Sequence, residues 1–331
     1  MYSKTAVLCL LALSPSIASA QASPGALQEG ACLEVTAKIR ASFTTGNPGR
    51  ADAALSELLA GANAKGDPLC VVSAIHNLAK VYENSGRVAE AEALERRSLL
   101  ILDTTYPPND PIRLQPLVTL WAVSLQLGKL AKAREAFHAL SSIPLVTSRE
   151  RAIVSSAAAE QFLMEGRYPD AEREFNNALK EWDIAGLGET LDTAAVLVGL
   201  GSLYAVQSRY PDAESVLQRA YHIVNSSRET LPSDRVKVLS LRGILRTRQQ
   251  RWREAEADLI AAISTADRDM QIDPAQLKPL LEYYAFVLRK IRQNKQARSI
   301  EARARSIDIP GEARSVVDIT QLPNGSKPAK R

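Results

Sequence analysis

The chain has 331 residues and a formal net charge of +4, with acidic and basic side chains interleaved along its length. A charge this small and this dispersed excludes the concentrated basic surface of nucleic-acid-binding proteins, so no nucleic-acid partner is expected. Aromatic residues make up 5% of the chain, while alanine and leucine are abundant. Glycine and proline cluster between apolar segments, and this composition favours a helical protein.

The N-terminal residues have the pattern of a secretory signal. Residues 1–4 carry one positive charge, residues 6–13 are a short apolar run, and residues 14–20 end in Ala-Ser-Ala. This arrangement is typical of a cleaved signal peptide, and the run is shorter than the roughly 20 residues that span a bilayer. The alternative is a buried N-terminal helix.

We therefore expect a signal peptide at residues 1–20, cleaved after Ala20, and a linker at residues 21–30. No later run is long enough to cross a bilayer, so no transmembrane segment is expected. The mature protein is expected to be periplasmic or secreted.

Cleavage of the signal would remove Cys9 and leave Cys32 and Cys70. An exported protein meets an oxidising compartment, in which an even number of cysteines indicates disulfide pairing. A disulfide between Cys32 and Cys70 and a pair of buried thiols both remain open, because the deciding geometry is not visible in a sequence.

The hexapeptide RYPDAE occurs at residues 167–172 and again at residues 209–214. Alignment on its alanine extends the pattern to six anchoring alanines, spaced by 42 residues except for one interval of 38: Ala91, Ala133, Ala171, Ala213, Ala255 and Ala297. Self-similarity at a nearly fixed period is typical of a solenoid.

Each repeat predicts a helix, a tight turn and a second helix. Turn-forming residues stand five positions before the first four anchors, namely Gly86, Gly128, Gly166 and Ser208. Ala213, Leu217 and Ala220 have the i, i+4, i+7 spacing of an apolar helix stripe. Small-residue columns predict close approach of the two helices, and the repeated acids suit a helix N-terminus rather than catalysis.

These columns resemble the tetratricopeptide repeat. The match is carried by Leu200, Gly201, Tyr204, Ala213, Leu217 and Ala220. The 42-residue interval is similar to the longer-helix variant of kinesin light chains, as are residues 75–82. The resemblance covers residues 73–307 and implies an all-α, right-handed superhelical solenoid of antiparallel helix pairs. Residues 49–55 parallel residues 86–92, so the solenoid is expected over residues 31–309, with about six repeats and an N-terminal half-repeat or cap.

The resemblance also implies that the first helices line a concave groove that holds an extended or helical peptide. Three columns, at fifteen, eleven and eight residues before each anchor, give the predicted groove residues: His76, Lys80, Glu83, Val118, Ala122, Leu125, Ser156, Glu160, Val198, Ser202, Ile244 and Phe286. The middle of the set is small and apolar, which favours an apolar peptide or helix. The alternative role of each residue is packing between helices.

Residues 310–331 form a tail in which the helical pattern stops, and residues 315–322 are apolar and β-prone. We hypothesise that residues 316–322 dock as an extended segment on the solenoid, in the groove or at its end. The alternative is a loose tail.

No pattern of catalytic chemistry is present. His76, His138 and His222 are isolated, and the sequence has no Gly-rich phosphate loop and no nucleophile elbow. We expect no catalytic residue, no metal and no cofactor. The sequence predicts an exported scaffold that presents a groove to a protein or peptide partner. The alternatives are a regulatory or assembly subunit of a bacterial envelope or secretion complex and, less favoured, an enzyme with an unrecognised site.

Overall fold

The computed structural model describes residues 53, 68–84, 86–227, 230, 232–268 and 274–307. These ranges contain twelve α-helices, one short 3₁₀ helix at Pro111–Arg113, and no strand. In chain order the α-helices are α1 (Pro68–Asn84), α2 (Val88–Asp103), α3 (Leu114–Gln126), α4 (Leu130–Ser141), α5 (Ser148–Met164), α6 (Tyr168–Ile184), α7 (Leu191–Val206), α8 (Tyr210–Ser226), α9 (Pro232–Arg248), α10 (Trp252–Arg268), α11 (Pro274–Lys290) and α12 (Asn294–Ser306).

Several expectations concern residues outside these ranges. They are the signal peptide, the linker, the N-terminal half-repeat and the tail with its apolar segment. Cys32 and the side chain of Cys70 also lie outside, so the disulfide stays a prediction.

The helices pack as six consecutive pairs, each made of an odd-numbered first helix and an even-numbered second helix. The second helix of one pair contacts the first helix of the next, which makes each pair a unit of a solenoid. Nearly every residue of α7 is buried, whereas α8 buries a single stripe. First helices therefore form an inner layer and second helices an outer one, and the predicted all-α solenoid of helix pairs is confirmed.

All six anchoring alanines have no exposed surface. Close approach of the paired helices is visible at two glycines of the inner layer. A Cβ built on Gly201 would lie 2.7 Å from Leu217 Cγ, and one built on Gly243 would lie 2.7 Å from Leu259 Cγ. The small-residue columns thus have the packing role that their positions predict, since larger side chains there would force the helices apart.

The turn inside each pair has a left-handed residue five positions before the anchor. The φ values are positive in all six units: Gly86 (75°), Gly128 (68°), Gly166 (74°), Ser208 (61°), Gln250 (62°) and Arg292 (66°). Glycine adopts this conformation freely, whereas other residues are strained by about 1–2 kcal/mol. The left-handed turn is therefore kept in units five and six, although Gln250 and Arg292 stand there in place of the glycine that favours it.

Two substitutions in this column should change stability in opposite directions. Gly166→Ala should lower the free energy of unfolding by about 1–2 kcal/mol, because alanine is strained there and its Cβ would meet no atom within 4 Å. Ser208→Gly should raise that free energy by up to about 1 kcal/mol, because relief of strain outweighs the added freedom of the unfolded chain. Urea unfolding followed by circular dichroism measures both. Shifts of the same sign would contradict the interpretation.

The repeated hexapeptide also links neighbouring units. Arg209, the first residue of the second copy, places Nη1 2.8 Å from an oxygen of Glu172, the last residue of the first copy. Arg251 pairs with Glu214 at 2.6 Å in the same way one unit later. Lys129 donates to Glu92 at the equivalent position near the start of the solenoid. A ladder of ion pairs therefore joins units one and two, three and four, and four and five, while Gln293 donates a neutral hydrogen bond to Glu256 at 3.2 Å between units five and six.

This ladder is interrupted between the second and third units, at the 2–3 junction (residues 142–147). Arg134 directly follows an anchoring alanine, at the position where the linked units have glutamate. Arg167 pairs instead with Glu165 and Asp170 of its own unit. Helices α4 and α5 also pack together less extensively than the other helix neighbours across unit boundaries. The junction is therefore the weakest contact between adjacent units in the described part of the solenoid.

We expect the solenoid to open first at the 2–3 junction, because each unit is stabilised only by its neighbours. Native-state hydrogen exchange should show residues 68–141 and 148–307 as separate cooperative blocks. In the Arg134→Glu variant, the new glutamate should pair with Arg167. This pair should raise the free energy of opening of the first block by roughly 0.5 kcal/mol, and hydrogen exchange in that block should be slower. Arg134→Gln, which removes the charge without supplying the acid, is the control. A single cooperative block in the parent protein would count against this view.

Candidate binding pocket

A pocket of about 30 Å³ lies where the inner helices of units two, three and four meet. Helix α3 contributes residues from its middle, α5 contributes one face, and α6 and α7 close the far side. The lining residues are Val118, Trp121, Ile153, Ser156, Ala157, Glu160, Trp182, Asp192, Ala195 and Val196. Ser156 and Ala195 are partly exposed and the others are buried, so these two small residues mark the mouth.

Two tryptophans form walls of the pocket. Trp121 is fully buried, and its orientation is fixed because Nε1 donates to Gln161 Oε1 at 3.1 Å and its ring packs against Phe137. Trp182 reaches the pocket from the last turn of α6, and its buried Nε1 has no hydrogen-bond partner. The walls are therefore aromatic, with one donor left available among the lining residues.

Two buried carboxyl groups complete the lining. Glu160 and Asp192 are 6% and 8% exposed. Glu160 Oε2 and Asp192 Oδ1 each lack a hydrogen-bond partner. A buried polar atom left in this state costs about 1–3 kcal/mol, and such atoms in native proteins call for a specific explanation.

Burial governs the protonation of both acids. It raises the pKa of Glu160 to about 8, against the opposing influence of the Lys237 ammonium. It raises the pKa of Asp192 to about 7, although the positive charges of Arg149 and Lys80 favour ionisation. The pocket therefore holds protons near neutral pH that an exposed carboxyl would release.

A wider charge cluster surrounds the pocket on the inner side of the solenoid. Lys80 and Glu83 of α1 form an ion pair at 2.6 Å, and Gln126 donates to Glu83 at 3.1 Å. Lys237 of α9 is buried, and this burial lowers its pKa while the nearby acid Asp234 raises it. Charged groups from units one, three, four and five therefore act on one another around the pocket.

Sequence-family comparisons agree with this architecture. Family models described as Tetratricopeptide repeat match residues 71–111 and 157–228. Over these two ranges, the predicted tetratricopeptide repeats are confirmed. No curated protein matches the sequence at a significant level.

The chain is also similar to several solved structures at low sequence identity. BtubC (BKLC) from P. vanneervenii is 18% identical, with a TM-score of 0.49, covering 70% of this chain and 95% of that one. A tetratricopeptide repeat protein from Parabacteroides merdae is 14% identical, with a TM-score of 0.48 and coverage of 85% and 94%. The TPR2AB domain of yeast Sti1, in complex with pHSP90, is 10% identical, with a TM-score of 0.31 and coverage of 83% and 98%.

Five of the predicted groove residues lie in or beside the pocket. Val118, Ser156 and Glu160 line it, while Lys80 and Glu83 belong to the charge cluster. The three columns chosen from the tetratricopeptide repeats thus meet at units one to three.

The other predicted groove residues lie elsewhere on the inner helices. His76 shares a hydrogen bond of 2.7 Å between Nδ1 and Glu95 Oε1, and Ser202 donates to the carbonyl of Val198. Phe286 is half-buried against Trp252. The remaining three are buried, as packing residues are: Ala122, Leu125 and Ile244. Contact of these seven residues with a partner stays a prediction.

Sequence reasoning missed Asp192, Trp182 and Lys237. One signal was available, because Asp192 and Asp234 both stand twenty-one residues before an anchoring alanine, in the first turn of a mostly buried helix. Trp182 gave no signal, since it belongs to a second helix and the groove was predicted on the first helices alone. Within the described ranges, no cluster of three or more His, Cys, Asp or Glu side chains is arranged to hold a metal ion. None of the described helices is both long enough and apolar enough to cross a bilayer.

The raised carboxyl pKa values should make the protein less stable as pH rises. Glu160 and Asp192 keep protons in the folded state up to about pH 8 and 7, whereas the unfolded chain releases them near pH 4. The free energy of unfolding contributed by these groups therefore falls between about pH 4 and pH 8. The glutamine of the Glu160→Gln variant is neutral at every pH. The difference in stability between this variant and the parent should therefore shift in favour of the variant as the pH rises through this range.

Thermal unfolding at several pH values measures this difference. Glu135→Gln, at an exposed carboxyl of α4, is the matched control and should follow the parent. Parallel curves for Glu160→Gln and the parent would show that Glu160 does not retain a proton.

Proposed function

We propose that this protein is an exported scaffold that binds a peptide or helix of a partner protein on the inner face of its solenoid. The observation that carries the proposal is a tetratricopeptide-repeat solenoid whose inner helices enclose a pocket with unpartnered polar atoms. Its mechanism is presentation of a preformed surface, with no covalent step. The partner is a protein, and no nucleic acid is involved.

The physical support is pre-organisation. The inner helices are fixed by the alanine contacts, the turns and the ion-pair ladder, so little conformational entropy remains to be lost when a partner binds. Repeat solenoids use the resulting continuous surface for binding. The pocket adds a recessed point at which one side chain of the partner could be held, while the surrounding helices provide apolar area.

Partner binding can be tested with the mature protein. Cross-linking in the intact cell envelope, followed by purification, should recover one partner in stoichiometric amount. A purified segment of that partner should then bind the mature chain. Ser156→Trp, which covers the mouth of the pocket, should weaken binding at least tenfold, whereas Ser155→Trp on the neighbouring position of α5 should not. Absence of any stoichiometric partner would refute the scaffold proposal.

Export is supported by the charged, apolar and small-residue order of residues 1–20. The full chain, expressed in a Gram-negative host, should appear in the periplasmic fraction with Gln21 as its first residue. Leu10→Arg, which breaks the apolar run, should leave an uncleaved chain in the cytoplasm, whereas Ser14→Ala should not. N-terminal sequencing of the fractions decides, and an uncleaved parent chain in the cytoplasm would refute export.

A further inference from the structure

We propose that the pocket binds a primary ammonium group, held by Glu160, Asp192 and Ser156 between aromatic walls. The ligand class is an alkylamine, either free or as the end of a lysine side chain. This inference goes beyond the scaffold role and does not depend on it.

The first step of the argument is the set of acceptors. Glu160 Oε2 and Asp192 Oδ1 lack partners although both residues are more than nine-tenths buried. At the mouth, Ser156 Oγ donates to the carbonyl of Ala152 at 2.7 Å, so its lone pairs are directed elsewhere. Three oxygens are thus available, and an ammonium group has three donors and no acceptor.

The second step is the wall of the pocket. Tryptophan has the aromatic face that attracts cations most strongly, and the pocket has two tryptophans. The Nε1 of Trp182 is an available donor, which an ammonium cannot satisfy. The carboxyl oxygens of Glu160 and Asp192 are the acceptors for the ligand, and Trp182 contributes only its ring to the wall.

The third step is charge. Glu160 faces Lys237 of α9 and Glu83 of α1. Asp192 faces Arg149 of α5, Lys80 of α1 and Asp234 of α9. These four acids outnumber the three bases by one. Burial disfavours an ionised carboxyl and raises the pKa of Glu160. A ligand cation beside this carboxyl would take the place of its proton.

Size and ligand number favour an organic cation over a metal ion. A water needs about 10–15 Å³ of such space, so a cavity of about 30 Å³ admits an ammonium with its adjoining methylene. Calcium requires six to eight oxygen ligands, whereas seven of the ten lining residues are alanine, valine, isoleucine or tryptophan. The pocket is therefore too poor in oxygen for calcium.

The experiment is a calorimetric titration of the full mature chain with n-butylamine hydrochloride, with n-butanol as the neutral isostere. Butylamine should bind at least tenfold more tightly than butanol. Because the cation replaces a proton, its affinity should rise by up to about tenfold per pH unit until about pH 8. Equal affinity for the two compounds, or an affinity that falls with rising pH, would overturn the proposal.

Variants locate the binding event. Glu160→Gln should reduce butylamine affinity at least tenfold and flatten its pH dependence. Ser156→Lys should abolish binding by placing an ammonium of the protein itself at the mouth, and this change leaves the buried acids intact. Ser155→Lys is its matched control. Unchanged binding by a folded Ser156→Lys variant would overturn the assignment to this pocket.

A second ligand separates the two sources of the amine. Nα-acetyl-lysine methylamide has the same ammonium on a peptide-like backbone. Binding of both compounds supports a lysine side chain as the ligand, while binding of butylamine alone supports a small free amine. Failure of both compounds would refute the site but would leave the scaffold proposal standing, since that proposal is tested with the partner protein.

Discussion

The close contact at the anchoring alanines is the constraint on which the rest of this structure depends. Each second helix packs on its first helix through an alanine with no exposed surface, and a Cβ added to Gly201 of a first helix would lie 2.7 Å from Leu217 of its second helix. Such a contact requires a short turn between the two helices. The turn contains a residue with positive φ in every unit, even where that residue is Gln250 or Arg292. Turn strain is therefore tolerated because the alanine contact determines where the chain must go.

The architecture could be predicted from the sequence because the same pattern of residues repeats along the chain. The anchors, the small columns and the turn position recur at a nearly constant period, and each has a local physical meaning. The link between Arg209 and Glu172 was not predicted, although both residues belong to copies of the repeated hexapeptide. The two copies were compared as equivalents, whereas the ion pair joins the end of one copy to the start of the next.

The pocket was harder to predict for a different reason. Its lining comes from three units, and its character depends on burial, which no single repeat contains. Glu160 was identified as a groove residue, but its lack of a partner is a property of the packed solenoid. Asp192 was overlooked because the chosen columns began further along the helix. The pocket also adjoins the 2–3 junction, where the shorter interval and the weaker packing disturb the regular stacking.

The ion-pair ladder has a consequence for how such a chain can lengthen. Each regular unit has a base at the face that meets its predecessor and an acid at the face that meets its successor, as Arg209 and Glu214 do in unit four. A tandem duplication of that unit would therefore supply the matching charge to both neighbours and to its own copy. Growth by gene duplication needs no compensating change at such a boundary. The 2–3 junction lacks this complementarity, so a unit inserted there would have to evolve its contacts anew.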